Sequence, residues 1–135
     1  MVVFTIASMA AMAGIPERSA ASFSVGSQVV DVVASADGES VAVLSGAGSV
    51  RLLDLNTWDL LSVTPCSDVG GISTAPGEDD RFWAGCGNGS LNWFRLASTG
   101  VKTGDADVGL AETAIVGLAA NDTFVFGVAE NPVSD

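Results

Sequence analysis

Residues 29–55 read VVDVVASADGESVAVLSGAGSVRLLDL, and this stretch decides the fold class. Val29–Ala34 is apolar except for Asp31. A run apolar on both faces suits a strand packed between two neighbouring sheets. Asp37-Gly38 follows, a pair that tolerates positive φ and closes a tight hairpin. Ser40–Leu44 is a second apolar strand, Ser45–Gly48 a second turn, and Ser49–Leu55 a third strand of mixed polarity. Asn56-Thr57-Trp58-Asp59 turns the chain again, and Leu60–Val63 makes a fourth, outer strand.

The pattern then restarts. Pro65–Gly70 connects, Gly71–Ala75 repeats the first strand, and Pro76–Asp80 replaces the Asp-Gly turn with a longer one. Arg81–Gly85 is the second strand, Gly87-Asn88-Gly89 the next hairpin, and Ser90–Leu96 the third strand. Ser98-Thr99-Gly100 leads into a short Val101–Thr103. The two third strands, Val50–Leu55 and Leu91–Leu96, share one mask: apolar, polar, apolar, apolar, polar, apolar. They lie 41 residues apart, and Gly48-Ser49 matches Gly89-Ser90 at the same offset. A period of about 40 with four short strands per unit is the spacing of propeller blades.

Outward from these units the pattern thins. After a loop over Gly104–Ala114, Ile115–Ala119 and Thr123–Val128 predict the first two strands of a third unit, with a turn at Asn121-Asp122. Glu130-Asn131-Pro132 reads as the next turn. Ser22–Val25 alternates polar with apolar and predicts an outer strand, and Ile15–Ala21 a loop. The apolar run Met1–Gly14 has three readings: a strand at Val2–Ala7, favoured here, a degenerate or truncated signal ending near Ala11-Met12-Ala13, or a buried helix. It lacks the basic n-region of a secretory signal. It is also shorter than the roughly 18 apolar residues of a membrane span, so no such span is expected.

Val29–Val63 resembles a WD-repeat blade. Leu53-Asp54 stands where that family carries its Trp-Asp pair, and Phe94-Arg95 stands there in the second unit. Trp58-Asp59 is such a dipeptide, but it falls in the turn after the third strand. No histidine occurs, so the family's buried His-to-Asp network is absent. The resemblance implies an all-β chain of repeated four-stranded antiparallel blades, an incomplete β-propeller ring of about three blades. The divisions are an N-terminal segment 1–21, blades 22–63 and 64–103, and a partial blade 104–135. Rings close with four to eight blades, so the missing blades are expected from the rest of a longer chain or from oligomerisation.

Composition narrows function more by exclusion than by assignment. The net charge is −11, with five basic residues against sixteen acidic ones. Nucleic-acid binding is not expected, because phosphate contacts need clustered Lys and Arg. The lack of histidine removes His general bases, His triads and His metal ligands together. Asp105, Asp107 and Glu112 fall short of a calcium loop, since Gly109 and Leu110 stand where ligands are needed. Glu78-Asp79-Asp80 reads as a solvated turn. Gly46–Gly48 and Gly85–Gly89 lead into strands, not the helix N-termini that phosphate cradles use. No metal and no cofactor is expected.

What remains is a non-catalytic protein-interaction or scaffold module with protein partners. Trp58 is the foremost contact candidate, because a tryptophan in a turn suits an interface anchor. Asp59 and Asp68 accompany it as binding candidates. Trp83, Trp93 and Phe94, being in strands, are expected to pack. For Cys66 and Cys86 two outcomes stand open: a disulfide across two loops on the same side of the ring, or two buried free thiols. Two alternatives for the whole chain also stand. One is the propeller portion of a larger enzyme, with carboxylates such as Asp31 and Asp68 at the channel. The other is a secreted or surface structural protein. The compartment is not set by the sequence.

Overall fold

Short apolar runs separated by Gly, Asp and Asn turns build twelve strands and no helix among the described residues. The computed structural model describes residues 3–8, 19–24, 27–106 and 113–130. The central sheet holds β3 (Val29–Ala34), β4 (Ser40–Ser45), β5 (Val50–Asp54) and β6 (Leu60–Val63), antiparallel and in chain order. The next sheet repeats that order with β7 (Val69–Ala75), β8 (Glu78–Cys86), β9 (Leu91–Ala97) and β10 (Gly100–Ala106). Two-stranded sheets flank these in sequence: β1 (Val3–Ser8) with β2 (Ser19–Ser24), and β11 (Ala114–Ala120) with β12 (Val125–Glu130).

The four-strand repeat is therefore present, and the third strands sharing one sequence mask are β5 and β9. Each central hairpin turns where a residue of positive φ was expected: Gly38, Gly48 and Gly89 all take φ between 73° and 85°. Asp37 fixes the first turn by accepting hydrogen bonds from Ser35 Oγ (2.6 Å) and the Glu39 amide (3.0 Å). The Asp37 amide donates to Asp79 O at 3.1 Å, so this turn is tied to the start of β8 in the next sheet.

Several expectations need correction. The strand predicted at Ser22–Val25 begins at Ser19 and pairs with β1, not with the sheet that follows it. Ser19–Ala21, expected in a loop, belong to β2, and residues 15–18 lie outside the described residues. The long turn expected over Pro76–Asp80 is short, because Gly77 at φ 77° reverses the chain at once and Glu78 already starts β8. β7 begins at Val69 within the expected connector, and β10 runs on to Ala106 into the expected loop. Glu130, expected in a turn, ends β12. Asn131-Pro132, the Ala11-Met12-Ala13 site, Asp107, Gly109, Leu110 and Glu112 lie outside the described residues.

The core lies where the two four-stranded sheets face each other. Ala42, Leu44, Val50, Leu52 and Val63 pack against Val69, Ile72, Phe82, Ala84 and Phe94. Phe82 and Phe94 sit side by side on β8 and β9, stacked with centroids 5.1 Å apart. The other face of the first sheet buries Val41, Val43 and Leu53. On the far face of the second sheet, β11 lies against its first two strands. A β-carbon on Gly70 would run into Ile115 O, and one on Gly71 would reach the Leu118 amide at 2.6 Å. Glycine at both positions lets strand backbones approach this closely.

Candidate functional site

Antiparallel strands joined by tight turns send alternate turns to opposite ends of the sheets. The β3–β4, β5–β6, β7–β8, β9–β10 and β11–β12 turns share one end. The β4–β5 and β8–β9 turns and the β6–β7 connector share the other. This parts the predicted contact residues. Trp58 and Asp59 are in the β5–β6 turn at the first end, and Asp68 is in the β6–β7 connector at the second.

At the first end, Asp54 organises the turn. Its Oδ1 accepts from the Asn56 amide at 2.8 Å and the Thr57 amide at 3.3 Å, and its backbone oxygen accepts from the Trp58 amide at 2.8 Å. Trp58 then takes φ 62°, the left-handed region, and it is the one non-glycine among the described residues to do so. A bulky side chain is uncommon there, and the conformation costs about 1–3 kcal/mol. The side chain is 38 % exposed. Asp59 is exposed, and its amide donates to Thr57 Oγ1 at 3.3 Å.

At the second end, the connector is fastened to its surroundings. Cys66 and Cys86 form a disulfide, with Cα atoms 6.2 Å apart. Asn92, buried in the second sheet, donates to Pro65 O. Asp68 O accepts from the Gly87 amide at 2.8 Å, and Gly48 O accepts from the Val69 amide at 3.2 Å. The Asp68 carboxylate lies against both Gly48 and Gly87. Asp68 thus sits in a tied seam between three loops. Asp31, its proposed partner in an enzyme reading, accepts from the Val32 amide at 2.8 Å within its own strand. Among the described residues no three Cys, Asp or Glu side chains converge as a metal site needs. No helix there is long and apolar enough to cross a membrane.

Two surfaces escaped sequence reading. On β12 and the residue before it, Phe124 (61 % exposed), Phe126 (54 %) and Val128 (65 %) form an apolar strip. On the far face of the second sheet, register pairs Arg81 with Arg95 and Arg95 with Lys102, a row of cations across three strands. Two residues along, Trp83, Trp93 and Gly104 form a parallel row on the same face. The Arg81 guanidinium lies 4.3 Å from the Trp93 ring centroid, and Arg95 pairs with Asp80 at 3.0 Å. Alternation in the sequence hinted at each strand's faces, but the row exists only through the pairing register.

Comparison with known proteins bears on the fold. The chain is similar to the crystal structure of the N-terminal domain of Nup159, a β-propeller, with TM-score 0.54 and 13 % identity over 84 % of this chain. The fold is propeller-like. The chain spans 31 % of that domain's length. No protein-family model matches the chain, and no curated protein matches it. At this identity the likeness speaks for the propeller-like architecture alone.

Proposed function

We infer that the protein is a non-catalytic interaction module built on WD-repeat-like propeller blades. In this reading β3–β6 and β7–β10 are whole blades and β11–β12 is the first half of another. The pair β1–β2 is the last half of a preceding blade, because β2 leads into β3 as β6 leads into β7. The observation that carries the reading is Trp58. An exposed tryptophan held at a left-handed turn position carries a conformational cost. Such strain gathers at contact sites, and tryptophan is the residue most enriched among interface anchors. Asp59 belongs to the same turn and the same surface, whereas Asp68 serves the loop seam. The exposed apolar strip on β12 supports a ring finished by further strands, in the same chain or another.

A photo-crosslinking residue placed at position 58 tests this, with position 88, at the opposite end, as the control. The reading expects a protein adduct from position 58 that is absent from position 88. Equal adducts from both positions, or none from position 58, would remove Trp58 as the contact.

The disulfide favours a second reading, a secreted or surface protein, since such bridges persist in oxidising compartments. Thiol titration of protein taken directly from its native source separates the two. Two free thiols would count against the oxidising compartment.

A further inference from the structure

Asn88-Gly89-Ser90 and Asn121-Asp122-Thr123 have the form Asn-x-Ser/Thr, and no other asparagine of the chain does. That triplet is the acceptor signal for N-linked sugars when it stands on a surface loop of a secreted protein. Both conditions bear on Asn88. It is exposed in the β8–β9 turn, between Gly87 and Gly89, whose lack of side chains leaves it uncrowded. It lies two residues from Cys86, whose bridge to Cys66 is what favours the secreted reading. Asn88 Oδ1 accepts from the Ser90 hydroxyl at 2.7 Å and from the Ser90 amide at 3.0 Å. The hydroxyl that the signal requires therefore sits on the carboxamide that would react. Asn121 differs. Its Oδ1 accepts from the backbone amides of Thr123 and Phe124, both at 2.8 Å, and Asp122 sets a carboxylate beside it.

We propose that Asn88 is an N-glycosylation site, with a polyprenyl-pyrophosphate-linked oligosaccharide as the sugar donor. Asn88 Nδ2 attacks the anomeric carbon of the donor's first sugar. The N–C bond forms as the C–O bond to phosphate breaks, the pyrophosphate leaves with that electron pair, and Nδ2 gives up one proton. The two hydrogen bonds to Oδ1 stabilise the negative charge that gathers there as the proton leaves. Asn121 is the weaker acceptor, since the Asp122 carboxylate repels the donor's pyrophosphate. The β8–β9 turn lies at an end of the strands and on neither face of the sheet, so another sheet stacked on the blade leaves it open. It is also the end opposite Trp58, so a bulky, hydrated glycan keeps this end in solvent and does not cover the Trp58 turn. The inference rests on the reading of a secreted or surface protein drawn from the disulfide.

For the test, protein taken directly from its native source is digested without reduction, treated with peptide-N-glycosidase in heavy-oxygen water and mapped by mass spectrometry. The expected result is a glycan on the peptide holding Asn88, its release with a heavy-oxygen aspartate left at position 88, and an intact Cys66–Cys86 bridge. Ser90→Ala, made in the same source, should lose the glycan, and Ser90→Thr should keep it, with the bridge formed in both as the sign of a folded turn. A bridged protein with a bare Asn88 would overturn the proposal and leave the secreted reading standing. Free thiols with a bare Asn88 would overturn both. An aspartate of ordinary oxygen at position 88 is spontaneous deamidation and counts as a bare site. A glycan on Asn121 with Asn88 bare, or one on Asn88 that Ser90→Ala leaves at full occupancy, would overturn the proposal as well.

Discussion

Gly70 faces the backbone carbonyl of Ile115 with no room for a β-carbon between them. This contact, with Gly71 against Leu118 and Gly85 against the Ile115 side chain, seats β11–β12 on the second sheet. The seat is made by backbone shape, and one methyl group changes it.

We therefore predict that Gly70→Ala lifts β11–β12 from the second sheet. Overpacking of this kind costs about 1–3 kcal/mol. Limited proteolysis checks it, through faster cleavage between Ala106 and Thr113 while the Phe82–Phe94 core stays protected. Wild-type cleavage rates would show that the chain absorbs the methyl group elsewhere.

The Cys66–Cys86 bridge closes a loop with a sequence separation of 20 residues. Loop closure of this size restricts the unfolded chain by about 3 kcal/mol. The double variant Cys66→Ser/Cys86→Ser should lose about that much in a urea titration. Reductant should lower the wild-type midpoint and leave the variant's where it is.

Phe82 and Phe94 are fully buried and stacked at the centre of the inter-sheet core. Truncating either to alanine should cost about 3–5 kcal/mol, and the double change should cost less than the sum because the two rings share one cavity. Thermal denaturation of the two single variants and the double variant measures both effects. Strict additivity would mean that the rings do not support one another.

Trp58 offers a separation of stability from contact. Trp58→Asn puts a residue that tolerates the left-handed region at φ 62°. Stability should hold or rise by up to about 1 kcal/mol, while partner capture falls. A marked loss of stability would instead make the indole a structural part of the turn.

The repeat was legible in the sequence because turn chemistry and apolar period act locally. Asp37-Gly38, Gly48 and Gly89 turn the chain where their backbone freedom predicts, and the two adjacent apolar positions in the shared mask of β5 and β9 put apolar side chains on both faces of each strand. The limits of β8 were not legible. Glu78-Asp79-Asp80 looks like a loop by composition, yet Pro76-Gly77 completes the turn before it and the carboxylates begin the strand, two of them exposed. Nor could the partner of Ser19–Ser24 be read, since pairing joins residues distant in sequence. The same holds for the candidate contact residues. Trp58 and Asp68 are ten positions apart in the sequence, but one strand places them at opposite ends. The row of Arg81, Arg95 and Lys102 depends on register across three strands, which spacing alone does not fix.

The alternation of turns gives the molecule two poles. β8, nine residues long, sets their separation at about 30 Å. At one pole Trp58 stands on a strained turn; at the other a disulfide and the Asn92–Pro65 bond fasten the connector. The Trp58 turn and the disulfide seam are thus separated by the length of the strands, so a change made at one is not in contact with the other.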